Sequence, residues 1–426
     1  MTEDTRSLLH ELTIGAREAG KKLATTETQQ KNDFLMGLAG SLEARSDEVL
    51  SANATDTAVA ESNGLDDHII DRLRLDPSRI GKIAGDVRHV ASLSDPVGEQ
   101  IETYTRPNGL EVERVRVPLG VIGVIYESRP NVTVDIAALC LKAGNTVVLR
   151  GGSESINSNK VLSEIARDAL ESSGLPANAI QFIPTSDRAV VDQMLKARGM
   201  IDLLIPRGGE ALVNRVREDA RVPAITGGIG VCHTYVDKAA DLEKAVSVVV
   251  NAKTQRPSVC NALDTLLVHE DVAGTYLPPI ARQLANRGVE LRCDGRSLAI
   301  LEPNIGGSQL RAADNGDYGQ EFLSLVASIK VVDSMDEAFD HISKYGSAHS
   351  EAIVTEDKDA SELFLSTVDA AAVFSNASTY FHDGGEFGLG AEVAISTDRL
   401  HARGPLGLRE ITTYKWVVRG DGQVRN

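Results

Sequence analysis

Apolar residues in the first 95 positions recur three or four places apart. The clearest groups are Leu8, Leu9 and Leu12, then Phe34, Leu35, Leu38 and Leu42. This spacing predicts amphipathic helices. No cluster of catalytic side chains stands out in this part of the chain.

The pattern changes from Glu99. The stretch IETYTRPNGLEVERVRVP, residues 101–118, alternates about Asn108-Gly109, the dipeptide that most readily supplies the two positive φ angles of a tight hairpin turn. We predict an arm of two strands over about residues 99–118. Either this arm takes part in assembly, or it is a hairpin exposed to solvent that has no such role. The tail ITTYKWVVRG, residues 411–420, predicts a lone strand that pairs with this arm or with another subunit.

Strands and helices alternate after the arm. The predicted strands are GVIGVIYE, TVVLR, AIQFI and IDLLI, then segments near PAIT and HTYV, and the helices between them cover about 133–143, 155–172, 187–198 and 210–219. This order predicts a doubly wound parallel sheet with helices on both faces. After Cys260 a second α/β series follows: strands ALDTLLV, FLSLVASIKVV, SEAIV and AAAVFS, with helices at 270–287, 335–344 and 357–366.

These patterns predict three regions. Residues 1–254 form a nucleotide-binding domain that includes the arm, residues 255–375 form a second α/β domain, and residues 376–426 form a return segment with a C-terminal strand. Ligands of doubly wound sheets bind beyond the carboxyl ends of the strands. The loops ESRPN, RGGSES and PRGGE are therefore expected at the site.

Composition narrows the possible partners. The formal net charge of −17 repels nucleic-acid backbones and anionic membranes, so neither is an expected partner. No run reaches the roughly 18 apolar residues of a membrane span, and the start MTEDTRSLLHE lacks the basic and apolar blocks of a secretion signal. We expect a mature cytoplasmic protein.

The four cysteines are widely spaced, with no CxxC pair and no matching histidines. This spacing predicts free thiols and no metal site. Cys140 and Cys232 lie in apolar stretches and are expected in the core, and Cys293 lies at the end of a predicted strand. Cys260 differs, because its surroundings KTQRPSVCNA resist burial. Either this stretch is a surface loop, or the sulfur is accessible for chemistry.

A thiol is only a few per cent ionised at neutral pH, so a catalytic cysteine needs positive potential nearby. Arg256, four residues earlier, or backbone N–H groups can supply part of it. Asn131, in ESRPNVTVD, can donate a hydrogen bond to a developing oxyanion, or it can cap the helix that begins there. Both roles remain open from the residues alone.

No G-x-G-x-x-G fingerprint follows a strand. Two predicted strands end instead in Arg-Gly-Gly, at Arg150-Gly151 and at 207–209 (Arg207, Gly208, Gly209). Glycines before a helix let backbone N–H groups approach a phosphate, although turn chemistry alone also explains them. Further candidates for substrate contacts are Arg129, Arg256, His401 and Arg403, the last two in glycine-rich segments that either close a pocket or form ordered loops.

The blocks YESRPNVTVDIAALCLKAGN, NAKTQRPSVCNALDTLLVH and FGLGAEVAISTDRLHARGP, followed by ITTYKW, resemble the aldehyde dehydrogenase superfamily and, within it, the γ-glutamyl phosphate reductase family. The resemblance covers about residues 100–418. It implies NADPH-dependent reduction of γ-glutamyl phosphate in proline biosynthesis, a homo-oligomer with a β arm for assembly, and functional coupling to glutamate 5-kinase.

The resemblance also assigns roles to residues. Cys260 is the implied nucleophile, and Asn131 is its oxyanion donor together with the Cys260 backbone N–H. Arg150 is expected at the 2′-phosphate of NADP, the 207–209 loop beside the pyrophosphate, and Glu321 at the nicotinamide ribose. Where aldehyde oxidisers carry a glutamate that activates water, this chain has ITGGIGVCH. Without that base a thioester is expected to hydrolyse slowly and to survive for reduction.

Two alternatives remain open. A reductase of another acyl phosphate or aldehyde would share these motifs. A catalytically silent nucleotide-binding scaffold would retain the fold without the chemistry.

Overall fold

Two parallel β-sheets, one in each lobe, form the framework of the protein. The structure is a computed structural model that describes residues 3–227, 229–305 and 309–425. The helices and strands of the first lobe are, in chain order, α1 (Glu3–Leu23), α2 (Thr28–Ala44), α3 (Ser46–Ser62), α4 (Asp67–Leu73), α5 (Pro77–Ser92), β1 (Gln100–Thr105), β2 (Glu111–Pro118), β3 (Val121–Tyr126), α6 (Asn131–Lys142), β4 (Thr146–Arg150), α7 (Ile156–Ser172), β5 (Ile180–Phe182), α8 (Ala189–Lys196), β6 (Leu203–Arg207) and α9 (Glu210–Asp219).

The second lobe and the return segment contain the remaining elements. They are β7 (Cys232–Val236), α10 (Leu242–Thr254), β8 (Leu263–His269), α11 (Glu270–Ala285), β9 (Glu290–Cys293), α12 (Gly295–Leu301), β10 (Leu310–Ala312), β11 (Val326–Val332), α13 (Met335–Tyr345), β12 (Ser350–Val354), α14 (Lys358–Thr367), β13 (Ala372–Ser375), β14 (Ile395–Ser396), β15 (Gly404–Pro405) and β16 (Thr412–Arg419).

The first sheet has the strand order β5-β4-β3-β6, with all neighbours parallel. Its strands are buried on both faces, which explains their continuous apolar sequences. Alternate residues of β3 point to opposite sides: Ile122 and Val124 join the core formed with α2, α5, α6 and α7, whereas Val121 and Ile125 join the core formed with α1 and α8. The order reverses between β3 and β6, and their carboxyl ends define the expected ligand crevice.

The second sheet has seven parallel strands in the order β10-β9-β11-β8-β7-β12-β13. The expected α/β fold is confirmed. The boundary expected at residue 254 is wrong, because β7 pairs with β8 and β12 and α10 packs into the core of this lobe. The expected strand at PAIT is also wrong, since only an isolated bridge joins Ala224 to Leu204.

The predicted hairpin arm is confirmed as β1 and β2. Its turn differs from the expected one: only Gly109 has a positive φ, 87°, and the backbone N–H of Arg106 donates to Leu110 across a wider loop, at 2.8 Å. Strand β16 pairs antiparallel with β2 over its whole length. The C-terminal strand thus completes a three-stranded sheet with the arm of its own chain.

The return segment packs back on the first lobe, where Val393, Leu406 and Ile411 join its core. Across the described residues, no helix is both long enough and apolar enough to cross a lipid bilayer.

Candidate active site

Cys260 lies in the irregular segment between helix α10 and strand β8. Its side chain is partly exposed, whereas Cys140, Cys232 and Cys293 are buried. The polar neighbours in KTQRPSVCNA explain why this segment stays near the surface while β8, immediately after it, is fully buried. The expectations for Cys140 and Cys232 as core residues are confirmed, and the accessible sulfur is Cys260.

The backbone at Cys260 is held from the return segment. The Asn261 side-chain amide donates to the carbonyl oxygens of Tyr380 and His382, each at 3.1 Å. The Thr379 hydroxyl donates to the carbonyl oxygen of Asn261 at 2.7 Å. These bonds fix the position of the adjacent sulfur without using the sulfur itself.

The stretch ITGGIGVCH packs against the other side of Cys260. A Cβ atom on Gly230 would lie 1.6 Å from the Cys260 carbonyl oxygen, so only glycine fits there. The Gly230 N–H donates to the Glu321 carboxylate at 2.9 Å, and the buried Cys232 thiol donates to the Cys260 carbonyl at 3.2 Å. Gly228, in the same stretch, lies outside the described residues.

Asn131 is the first residue of helix α6, directly beyond the carboxyl end of β3. Its side chain makes no capping bond to the helix backbone, where Pro130 holds the N-cap position. Instead its amide donates to the Asp135 carboxylate at 2.8 Å. The capping alternative is therefore wrong. One N–H of the Asn131 amide is used to orient the group, and the other remains for an oxyanion.

The electrostatic surroundings of Cys260 favour a protonated thiol in the unliganded protein. Burial, together with the nearby carboxylates of Glu321 and Glu392, raises the pKa of Cys260 to about 12, against the opposing charge of Arg207. Arg207 thus supplies the positive potential expected near the sulfur. Its effect on the pKa of Cys260 is smaller than the combined effect of burial and the two carboxylates. A reaction at Cys260 requires a group that accepts its proton.

Glu392 is the neighbouring carboxyl group suited to that exchange. Burial, together with the charge of Asp383, raises the pKa of Glu392 to about 7, while the hydrogen bond from the Gly384 N–H, at 3.0 Å, opposes the shift. Asp383 directly follows His382, whose carbonyl is bound by Asn261. The same hydrogen bonds that fix the cysteine therefore bring Glu392 beside it.

The loop after β4 has the features of an anion site. The Arg150 side chain is buried, its Nε has no partner, and its Nη2 donates only to the Ser186 carbonyl at 3.3 Å. A Cβ on Gly151 would lie 2.1 Å from the Asn159 side-chain nitrogen. The close approach of Asn159 explains why a glycine is needed at this position. An arginine with a buried unpaired donor fits the charged end of a dinucleotide.

The loop after β6 is also shaped by glycine. A Cβ on Gly208 would lie 2.3 Å from the Glu127 carboxylate, and the Gly209 N–H donates to this carboxylate at 2.9 Å. An anionic group thus already interacts with the N-terminus of α9, as its dipole favours. Arg207, at the end of β6 opposite Tyr126, lies where this loop meets Cys260.

Comparison with known proteins shows which family has this fold and site. The sequence model of the family described as "Aldehyde dehydrogenase family" matches residues 2–295. The chain belongs to the aldehyde dehydrogenase family. It is 54% identical over 420 residues to a γ-glutamyl phosphate reductase of Roseiflexus castenholzii, covering 98% of this chain and 99% of the relative. It is 50% identical over 418 residues to one of Escherichia coli O81, covering 98% and 100%.

Comparison with solved structures gives the same family. The crystal structure of γ-glutamyl phosphate reductase from Thermotoga maritima matches with a TM-score of 0.95 at 47% identity, covering 98% of this chain and 100% of that one. An acetylating aldehyde dehydrogenase from Geobacillus thermoglucosidasius matches with a TM-score of 0.72 at 17% identity, covering 99% and 98%, a likeness of fold alone. The resemblance drawn from the sequence motifs is confirmed, and the chain is an aldehyde dehydrogenase-type oxidoreductase.

This member of the family brings together five of the predicted site residues. Arg207, Arg256 and Cys260 act electrostatically on Arg129, and Glu321 lies beside the sulfur. His401 and Arg403 are engaged elsewhere: Arg403 pairs with Asp369, and His401 contacts the carbonyl of Glu410. No described contact joins either of them to Cys260.

Two residues that act on the site, Glu392 on Cys260 and Arg72 on Arg129, were absent from the sequence-based predictions. Glu392 stands in EFGLGAEVAIST, where the spacing of glycines indicates a loop but not its position. Arg72, in α4, acts on Arg129 although the N-terminal helices show no catalytic motif. An acidic side chain amid apolar neighbours was the available signal for Glu392; no local signal exists for Arg72.

Proposed function

We propose that this chain reduces γ-glutamyl phosphate to glutamate 5-semialdehyde and phosphate, with NADPH as reductant and a thioester on Cys260 as intermediate. This is the reductive step of proline biosynthesis from glutamate. The observation that carries the proposal is a single accessible cysteine, fixed through the hydrogen bonds of its neighbour Asn261, in a chain 50% or more identical to γ-glutamyl phosphate reductases over nearly its whole length.

The first chemical step is acyl transfer to sulfur. The Cys260 sulfur attacks the acyl carbon, the C–S bond forms, and the bond from that carbon to the phosphate oxygen breaks. The thiol proton leaves by way of the Glu392 carboxylate and ends on the departing phosphate, which is released as the hydrogen phosphate dianion. A carboxyl group with a pKa of about 7 is suited to both halves of this exchange.

The tetrahedral oxyanion formed in this step needs hydrogen-bond donors. The free N–H of the Asn131 amide and the backbone N–H of Cys260 are the proposed donors. Asp135 holds the amide by its other N–H, so the donor is oriented before substrate arrives and little reorganisation is needed during reaction.

The dinucleotide groove is proposed to run along the loops after β4 and β6. Arg150, Gly151, Gly208 and Gly209 would hold its phosphate groups, with Arg150 at the 2′-phosphate, and Glu321 would hold the nicotinamide ribose. When bound there, NADPH supplies the hydride that reduces the thioester. Competing hydrolysis is expected to be slow, because the stretch ITGGIGVCH lacks the glutamate that activates water in aldehyde oxidisers, and its Gly230 backbone lies directly against Cys260.

The reverse reaction tests the proposal, since the acyl phosphate is labile. Wild-type protein is expected to reduce NADP with glutamate 5-semialdehyde only when phosphate is present, and Cys260→Ser is expected to be inactive. Steady-state kinetics with the aspartyl and acetylglutamyl semialdehydes determine the chain-length preference. Stoichiometric NADPH binding without phosphate-dependent oxidation would instead support a silent scaffold. Homo-oligomerisation, cytoplasmic location and coupling to glutamate 5-kinase remain predictions.

A further inference from the structure

Four arginines without acidic partners lie within electrostatic range of one another around Arg129, which also interacts with Cys260. They are Arg72, Arg129, Arg207 and Arg256. Within the described part of the chain, none of these guanidinium groups makes a hydrogen bond or an ion pair. The sequence has 61 acidic and 44 basic residues, so acidic partners are plentiful. A group of unpaired guanidinium groups in such a protein indicates a site for an anion.

Three of the four arginines come from the segments that form the crevice. Tyr126, at the end of β3, lies opposite Arg207, at the end of β6, and Arg129 follows three residues after Tyr126. Arg256 stands four residues before Cys260 in the segment that carries the nucleophile. Arg129 and Arg207 thus stand at two neighbouring strand ends, and Arg256 stands in the segment that carries the nucleophile.

The fourth arginine comes from the N-terminal helices. Arg72 lies in the last turn of α4, and the carbonyl of the next residue, Leu73, accepts a hydrogen bond from the Asn53 amide at 2.9 Å. The same amide donates to the hydroxyl of Ser158 in α7 at 3.1 Å. These bonds fix the end of α4 against the start of α7.

The start of α7 is in turn fixed to the Arg129 loop. The Glu154 carboxylate, two residues before α7, accepts from the Ser128 N–H at 2.6 Å and from its hydroxyl at 2.8 Å. Ser128 has a positive φ of 46°, which turns the chain so that Arg129 leaves the strand end toward the crevice. Helix α4 and the Arg129 loop are therefore held in fixed relation.

The charges act on one another at this spacing. Burial, together with the charges of Arg207, Arg72 and Arg256 in that order, lowers the pKa of Arg129 to about 10, and ionised Cys260 opposes this shift. Like charges held this close destabilise the empty site, and a bound dianion would relieve that repulsion. The cluster is thus arranged for a ligand rather than for internal ion pairs.

We propose that Arg72, Arg129, Arg207 and Arg256 bind the phosphate group of the acyl phosphate substrate and of the phosphate that leaves. This inference rests on the proposed function and deepens it. The phosphate is attached directly to the carbon that Cys260 attacks, whereas the α-carboxylate of a glutamyl group lies several bonds further away. Arg129 and Arg207, which interact with the sulfur, are therefore positioned for the phosphate, and Arg72 and Arg256 extend the positive charge around Arg129.

Arg72→Ala is the variant that tests the contribution from the N-terminal helices. Its matched control is Arg74→Ala, since Arg74 lies two residues away and pairs with Glu61 at the surface. In semialdehyde oxidation, Arg72→Ala is expected to raise the KM for phosphate about tenfold or more, as loss of a charged hydrogen-bond donor does. The KM for NADP should stay within about twofold of wild type, and Arg72→Lys should restore part of the loss. Arg74→Ala should change neither constant.

A second measurement does not need turnover. Inorganic phosphate is expected to slow alkylation of Cys260 by iodoacetamide in wild type, and Arg72→Ala should need about tenfold more phosphate for the same protection. If phosphate protects in this Arg72-dependent way while wild type shows no phosphate-dependent oxidation, the anion site stands and the proposed function fails. If wild type is active and Arg72→Ala shifts neither measurement, the inference is overturned. Protection by glutamate but not by phosphate would also overturn it, since the arginines would then bind a carboxylate.

Discussion

The side-chain amide of Asn131 donates a hydrogen bond to the Asp135 carboxylate one helical turn later, at 2.8 Å. This bond orients the amide at the carboxyl end of β3 and leaves one of its N–H groups unused. The arrangement separates an oxyanion donor from an ordinary helix cap, because a cap would bind backbone N–H groups instead. The role of Asn131 can therefore be tested by removing its amide.

Asn131→Ala is expected to lower kcat by about a hundredfold or more, because a donor to the oxyanion is lost. The KM for NADP should change little, and Cys260 should remain fully alkylatable, which shows that the nucleophile is still in place. Rapid-mixing or steady-state kinetics of semialdehyde oxidation provide the measurement. A kcat equal to that of wild type would remove Asn131 from the oxyanion site.

Gly230→Ala tests whether the backbone at Cys260 must stay where it is. The new methyl group would lie 1.6 Å from the Cys260 carbonyl oxygen, so the nucleophile segment must move, and a shift of about 1 Å lowers kcat about a hundredfold. Gly81→Ala is the control, since Gly81 lies in α5 with open space around it and the change should be neutral or stabilise by about 0.4–1 kcal/mol. Equal activity of the two variants would contradict the packing described here.

Arg150→Gln tests the cofactor groove. Removing the guanidinium should raise the KM for NADP about tenfold, because charge-assisted bonds to a phosphate are lost. The KM for NAD, which lacks the 2′-phosphate, should stay within about twofold and serves as an internal control. Equal increases for both cofactors would place Arg150 away from the 2′-phosphate.

The raised pKa of Glu392 predicts a dependence of stability on pH. Its folded value of about 7 exceeds its ordinary 4.5, so the folded protein holds this proton more tightly than the unfolded chain. The stabilisation is fully present below pH 4.5 and is lost as pH rises through 7.

Glu392→Gln stays neutral at all pH values and should therefore show a shallower fall in the free energy of unfolding between pH 5 and 8. The difference from wild type should be roughly 1 to 3 kcal/mol over this interval, measured by urea denaturation. The control is Glu386→Gln, whose side chain is exposed and which should follow wild type. Parallel curves for wild type and Glu392→Gln would show that Glu392 is not buried with a raised pKa.

The sequence predicted what depends on local pattern. The continuous apolar run of β3 predicted a buried parallel strand, and Asn108-Gly109 predicted the hairpin. Short strands such as β9 and β10 carry too few apolar residues to be recognised. Strand β7 was recognised but placed in the wrong sheet, because chain order does not determine which neighbours a parallel strand pairs with.

The same limit applies to the site. Cys260 and Asn131 could be predicted because their chemistry and motifs are local. Arg72 and Glu392 could not, since one reaches the crevice through bonds from Asn53 to α7 and the other through the return segment. Arg403, which has the right chemistry in a glycine-rich loop, is paired with Asp369, and no sequence spacing indicates that ion pair.

The most direct test uses a single turnover without phosphate. Wild-type protein mixed with NADP and glutamate 5-semialdehyde in phosphate-free buffer should form about one NADPH per chain and then stop, because the thioester on Cys260 has no phosphate to accept the acyl group and lacks the water-activating glutamate of aldehyde oxidisers. Mass spectrometry should find the glutamyl group on the Cys260 peptide, and added phosphate should restart turnover. Continuous NADPH formation without phosphate, or a stalled chain with Cys260 unmodified, would contradict the proposed mechanism.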